Sequence, residues 1–460
     1  MLASNASKKI KILIILSGLA IIGISYMKSA LELEDAEQAY YSQWWRLTYD
    51  DQPPLYTWLQ ILINRLFGIT KFSFSFLRAL ILGSTIAAVY LFGKEYLKNK
   101  DKAALGVLLL STIPTYIDFT FRRLSHTSLL CLAVVLTFII VNRLLKTKTI
   151  VNYLALGLVI SLGILTKYNY ILVLGAFVAI FPFNKSIKEI VFNKKMGLTI
   201  SIVTLFVFPH FYDLFSNMYF MEQLHKSVAL KTSTVKENVI PVLSSFLAIG
   251  KSFVSLILPL LALLGFLFWR KIIVIKKENV QSWLKQVFIA QVVILMLVFI
   301  VMKIYKVETR WLLPIFIPYT VLILSLLQIN SAKQCLKYGF GFFIFVIIGQ
   351  TMRTPIEKFL KISSSVHYGF NKISEDLNTE FADKQWVLPD VTYGGNIRFL
   401  NADKEILSLD DFTLPKSLEK QGSRVVVRMD SDSFFILKSN VVHRVMGFGK
   451  EKENLSFFLD

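Results

Sequence analysis

The sequence predicts an α-helical polytopic membrane protein with a small α/β domain at its C-terminal end, and three observations predict it. Of the 460 residues, 54% are hydrophobic and only 18% charged, with a mean hydropathy of +0.56, which is too apolar for a soluble globule of this length. The apolar residues cluster in runs that are long enough, or nearly so with tilt, to cross about 30 Å of hydrocarbon. After Gln350 these runs stop, and short β-type segments separated by polar and Gly-containing turns replace them.

The runs fall at 10–27, 75–93, 103–117, 127–141, 150–165, 170–183, 198–215, 244–268, 287–302, 312–328 and 339–350, or about eleven transmembrane helices. The first, Ile10 to Tyr26, has the length of a signal-peptide core, but it lacks a small-residue cleavage site and reads as a retained helix. Direction follows from the basic residues. Lys8, Lys9 and Lys11 precede the first run, and Lys94, Lys98, Lys100 and Lys102 follow the second. Arg143, Lys146 and Lys148 follow the fourth, Lys185, Lys188, Lys194 and Lys195 the sixth, and Arg270, Lys271, Lys276 and Lys277 the eighth. The positive-inside rule puts all these segments in the cytoplasm. An odd number of crossings then carries the tail to the other side, dividing the chain into a membrane domain, 1–350, and an extracytoplasmic α/β domain, 351–460. The strands of the latter are expected at QWVLP around Trp386, EILSL around Ile406, RVVVRM around Val426 and the final LSFFL.

A formal charge of +20 would suit a nucleic-acid binder, but much of the excess sits in short loops, where topology and anionic lipid headgroups account for it. No nucleic-acid partner is expected. The two cysteines, Cys131 and Cys335, lie in or beside apolar runs and suggest neither a disulfide framework nor a thiolate metal site. No Gly-rich phosphate loop, nucleophile elbow or dinucleotide fingerprint occurs.

The chemistry-bearing residues concentrate in the first external loop, 28–75, above all in EDAEQAYYSQWWRLTYDDQPPLYTW. Ala36 to Leu47 has helical spacing, with Tyr40, Trp44 and Leu47 on one face. Pro53 and Pro54 interrupt it, and Trp58, Leu59, Leu62 and Leu66 mark a second short helix. A carboxylate just beyond the first span, Asp35 or Glu37, can act as general base toward an acceptor hydroxyl. The competing structural role is a cap: Asp35 capping the helix and Glu37 favouring its positive end. Asp50 and Asp51 read as turn formers. Among five histidines, His126 can orient an acceptor, and no pair has metal-ligand spacing on one helix face. The sequence demands no cofactor, although Asp35, Glu37 and His126 are compatible with a divalent metal.

Glu34-Asp35-Ala36-Glu37-Gln38-Ala39-Tyr40-Tyr41, resumed at Tyr49-Asp50-Asp51-Gln52-Pro53-Pro54-Leu55-Tyr56-Thr57-Trp58 and continued by Gly68 and Arg78, resembles the first external loop of the protein mannosyltransferase and aminoarabinose transferase superfamily, glycosyltransferase family 39 and its relatives. Leu165-Thr166-Lys167-Tyr168 and Arg310-Trp311-Leu312-Leu313-Pro314 resemble two further elements of it. The resemblance implies the GT-C fold and a polyprenyl-phosphate sugar as donor. Aligning Ala39-Tyr40-Tyr41 with the family's Asp-Glu-Ala-Tyr-Tyr puts Glu37-Gln38 where two acids stand, so Glu37 is the favoured base and Asp35 its rival.

A departing lipid phosphate needs fixed cations. Lys167, Arg310, Arg122 and Arg123 are candidates, with snorkelling at a helix end as the alternative for each. Tyr40, Tyr49, Gln52, Pro53, Pro54, His126, Tyr168 and Trp311 complete the candidate substrate-binding set. The expected function is inverting sugar transfer, on the external face of a bacterial inner membrane, to an envelope glycolipid or glycan such as lipid A or a lipopolysaccharide core. A lipid-linked-sugar transporter or flippase, a protein O-glycosyltransferase and a non-catalytic envelope subunit are the alternatives. No internal repeat of the loop favours a transporter.

Overall fold

A computed structural model describes residues 3–49, 52–123, 125–216, 241–275, 283–301, 308–362, 364–411, 424–429, 442–448 and 451–459. Asp50, Asp51, Lys276 and Lys277 lie outside them. The membrane part runs α1 (Ala3–Met27), α2 (Leu33–Tyr41), α3 (Leu55–Phe67), α4 (Lys71–Leu97), α5 (Lys100–Leu108), α6 (Pro114–Arg122), α7 (His126–Leu144), α8 (Ile150–Thr166), α9 (Tyr170–Ile180), α10 (Lys185–Val191), α11 (Met196–Ser216), α12 (Pro241–Trp269), β1 (Ile273–Ile275), α13 (Trp283–Val301), α14 (Thr309–Ser325), β2 (Leu327–Ile329) and α15 (Ala332–Phe359). Among the described residues seven helices are long and apolar enough to cross a membrane, or up to nine if each of two bent pairs is one span; α8 and α14 are shorter apolar helices. Each apolar run read from the sequence overlaps one of these helices or bent pairs.

The bent pairs differ from the straight spans expected at 103–117 and 170–183. The first bends by 79° between a 3₁₀ turn after α5 and α6. Pro114 opens α6 and holds Ile113 in extended backbone, at ψ 92°, so the helix cannot pass through. The second bends by 115° between α9 and α10, where Asn184 accepts the Ile187 amide at 3.0 Å and starts a new helix.

Basic segments gather at one end of the bundle. Arg143 pairs with Glu95 at 2.6 Å and Lys148 with Glu189 at 2.8 Å, Lys195 donates to the Lys148 carbonyl at 2.7 Å, and Lys102 donates to that of Leu327 at 2.7 Å. The antiparallel β1–β2 pair lies at this end. The C-terminus of α1, α2, α3, the start of α7 and the end of α15 meet at the other.

Helix α15 runs on to Phe359, beyond the boundary expected at 350. A compact unit follows: α16 (Phe370–Glu380), β3 (Gln385–Leu388), α17 (Val391–Leu400), β4 (Ile406–Ser408), β5 (Arg424–Met429), β6 (Val442–Phe448) and β7 (Glu451–Leu459). The sheet order is β4-β3-β5-β7-β6, with β3 parallel to β4 and β5 and the other pairings antiparallel. The four expected strands form, and β6 joins them. Trp386, Leu388, Ile397, Ile406, Val425 and Val427 are buried together with Ala30, so the loop after α1 contributes to this core.

The unit is fastened to α2. The Asn396 side chain accepts from the Leu31 amide at 2.8 Å and donates to its carbonyl at 3.3 Å; Gln43 makes the same two-way bond with Ile406, at 2.8 and 3.1 Å. Gly395 lets α17 lie directly on α2, because a Cβ there would sit 1.9 Å from the Ala36 carbonyl oxygen. Gly395→Ala must push the helices apart. We expect a loss of roughly 1–3 kcal/mol and faster proteolysis around 360–411. Unchanged melting and proteolysis would mean that this contact does not hold the unit in place.

Candidate active site

Helix α2 begins directly beyond α1. Its N-cap is Glu32, in extended backbone, and Glu34 and Asp35 occupy its first turn, where negative charge complements the helix dipole. Asp35 is therefore not the cap. Its Oδ2 lies 2.8 Å from an Arg78 guanidinium nitrogen, and both side chains are buried, at 8% and 1% exposure. Arg78 also donates to the Arg122 carbonyl. Burial raises the Asp35 pKa, and the charges of Arg78 and Lys28 act against that rise.

Glu32 joins a second network. Its Oε1 is 2.9 Å from Lys28 Nζ and 3.1 Å from Arg122, which in turn reaches Glu357 at 3.2 Å and the Thr354 hydroxyl at 3.1 Å. Burial opposes the charge on Glu32, but Lys28 and Arg122 outweigh it and hold its pKa below the usual carboxylate range. Burial lowers Lys28 to about 8, against the attraction of Glu32. Arg353 extends the chain of charges by pairing with Glu357 at 2.7 Å and with Asp118.

Glu34 faces another way. Its Oε2 accepts from the Ser125 amide at 2.7 Å and hydroxyl at 2.8 Å, while Oε1 lies 3.4 Å from Arg310. Helical periodicity puts Glu37 and Gln38 on this face. Glu37 is half-buried. Gln38 is buried, its amide nitrogen 3.4 Å from His126 Nε2. His126 Nδ1 is 3.2 Å from the Thr166 carbonyl, so Nδ1 carries a proton and a neutral ring leaves Nε2 as acceptor. Lys167 is next to this pair, donating to the Thr127 hydroxyl at 3.0 Å. The face of α2 that carries Glu34 and Gln38 thus meets Arg310 and His126, with Lys167 beside His126, and helical spacing puts Glu37 on that face.

The other expected residues are placed differently. Arg122 is buried and paired with Glu32 and Glu357. Arg123 lies against the Phe119 ring, 4.0 Å from Glu32. Tyr40 is buried against α17 and donates to Asp411 at 2.9 Å, and Tyr49 donates to the Trp44 carbonyl at 2.6 Å; both brace the loop. Burial raises both phenols, Tyr49 to about 12. Gln52 closes a turn onto the Tyr49 carbonyl at 2.8 Å, with Pro53 and Pro54 buried before α3. Tyr168 stacks on His210, and Trp311 packs edge-on to Phe299.

Helix α2 ends at Tyr41, short of the expected Leu47, because Ser42 and Gln43 side chains bond back to the Ala39 and Tyr40 carbonyls, at 3.3 and 2.7 Å. Sequence reasoning missed Lys28, Glu32, Glu34, Gln38 and Arg78 as parts of the site. Arg78 was findable, since an ionisable residue inside an apolar span requires a partner. Among the described residues no three of His, Cys, Asp and Glu converge to hold a metal.

Residues 51–212 match the family described as dolichyl-phosphate-mannose-protein mannosyltransferase. The chain is 30% identical over 191 residues to the lipopolysaccharide core galacturonosyltransferase RgtB of Rhizobium johnstonii, covering 42% of this chain and 39% of that one. To RgtA of the same organism, also named a lipopolysaccharide core galacturonosyltransferase, it is 31% identical over 192 residues, 42% of this chain and 38% of that one. The matches thus span about two-fifths of these relatives. In three dimensions the chain is similar to ArnT from Cupriavidus metallidurans bound to undecaprenyl phosphate, with a TM-score of 0.68 at 12% identity over 97% of both chains. The apo state of the same protein gives 0.64 at 11% identity over 98% of both. Over residues 51–212 the chain is thus similar to that mannosyltransferase family, and its fold is the GT-C fold of ArnT.

Proposed function

We propose that this chain is an integral-membrane glycosyltransferase that moves a sugar from a polyprenyl-phosphate donor to an envelope glycolipid or glycan. One observation carries the reading: the α2 face that bears Glu37 also meets Arg310, His126 and, beside it, Lys167. A base and phosphate-binding cations are the two components that the reaction needs. Glu37 takes the proton of the acceptor hydroxyl as that oxygen bonds to the anomeric carbon. The carbon–oxygen bond to the lipid phosphate breaks, its electron pair leaves with the phosphate, and Lys167 and Arg310 offset the charge. A single displacement inverts the anomeric configuration. Asp35, tied to Arg78, positions α2. The segregation of basic segments at the opposite end supports a non-cytoplasmic site, in line with the positive-inside rule.

The names of RgtA and RgtB favour a lipopolysaccharide core as acceptor and galacturonic acid as the first sugar to test. The lipid bound by ArnT favours a polyprenyl phosphate. Purified full-length protein in detergent, given polyprenyl-phosphate galacturonic acid and a core glycolipid, is expected to form a product heavier by one sugar, with inverted anomeric configuration. Movement of the lipid-linked sugar across sealed vesicles with no transfer in detergent would replace the enzyme reading with transport.

A further inference from the structure

A cleft of about 230 Å³ opens where the end of α2 meets α3, lined among others by Ser42, Gln43, Trp45, Ile61, Asn64 and Arg65. Its wall is fixed by hydrogen bonds: Gln60 donates to Asn64 at 2.7 Å, Asn64 donates to the Ser42 hydroxyl at 3.0 Å, and Gln43 is bound to Ile406. Trp45 lies parallel to Trp58 at 5.9 Å, and the Arg65 guanidinium is 5.6 Å from the Trp45 ring. That stack orients an exposed guanidinium at the cleft with no carboxylate paired to it among the described residues. On α3, Leu62, Leu66 and Phe67 are exposed, which sets the cleft at lipid-headgroup depth in the reading of this chain as a membrane protein.

We propose that this cleft is the subsite for an anionic sugar of the acceptor glycolipid, an inference that rests on the glycosyltransferase reading. Arg65 takes the carboxylate or phosphate with its planar fork, Ser42 and Asn64 meet the ring hydroxyls, and Ile61 and the Trp45 edge meet the apolar side of the ring. A charge-bearing sugar fits this lining better than a neutral one, because Arg65 is presented by an aromatic stack and, among the described residues, is not paired with an acid.

Native mass spectrometry of the full chain tests this, with a bisphosphorylated diglucosamine lipid as probe and phosphatidylglycerol as the control for a bulk headgroup. Arg65→Ala is expected to weaken glycolipid binding about tenfold and leave phosphatidylglycerol binding unmoved, with Arg65→Lys intermediate. Asn64→Asp, which adds a like charge, should weaken it further. Arg65 is exposed, so its variants should fold. Equal weakening for both lipids would make the cleft a general headgroup contact and overturn the proposal, as would no weakening. In the transfer assay, Arg65→Ala should raise the acceptor KM about tenfold without moving the donor KM. Glycolipid binding that depends on Arg65 in a wild-type protein that transfers no sugar would sink the enzyme reading alone. Transfer at an unchanged acceptor KM in the variant would sink the subsite alone.

Discussion

Glu37→Gln is expected to lower kcat by about 10²- to 10⁴-fold, the range that removal of a general base produces, while the protein melts at its wild-type temperature. The amide keeps the size and most hydrogen-bonding capacity of the side chain but cannot hold a proton taken from an acceptor hydroxyl. Glu37 is half-buried, and the ion pairs that anchor Glu32, Glu34 and Asp35 are made by those three carboxylates, so its replacement leaves them in place. The measurement is single-turnover transfer with donor and acceptor saturating, alongside a thermal melt in detergent. A variant that turns over at the wild-type rate would exclude Glu37 as the base.

Asp35→Asn should act differently. It leaves Arg78, which is 1% exposed, as a buried charge without its carboxylate, a loss of about 3–5 kcal/mol of stability. The expected readout is a large drop in melting temperature, with activity falling in step with the folded fraction. Removing both charges in Asp35→Asn/Arg78→Leu should recover part of the loss, because the unpaired cation is gone. A singly substituted protein that melts normally but has lost turnover would reverse the assignment and make Asp35 the base. The two substitutions thus separate a proton acceptor from a positioning ion pair at neighbouring positions on one short helix.

Much of the fold was legible because a bilayer imposes its requirement locally. Each apolar run announces a helix by its own composition, and the basic segments that follow announce one end of the bundle. The strands at Trp386, Ile406 and Val426 were equally readable, being short β-branched or apolar runs between turns. The 79° bend at Pro114 was not anticipated, although its cause is a local one. β6 went unread because VHRVMGF is interrupted by charge and glycine, and only pairing along β7 makes it a strand.

The candidate site was legible as residue types and not as partners. The first-loop motif singled out Glu37 and Asp35, and three separate later segments offered Lys167, Arg310 and His126. Tyr40 and Arg122 belonged to the same list, yet Tyr40 serves the α17 contact and Arg122 an ion network. By itself the sequence determined that this chain is a helical membrane protein with an acidic, aromatic helix just past its first span. Which carboxylate meets which cation was decided only by tertiary structure. Partners such as Asp35 and Arg78, Glu34 and Arg310, or Arg122 and Glu357 are joined by helix packing across tens or hundreds of residues, and the burial that sets the strength of each pair exists only once those helices have packed.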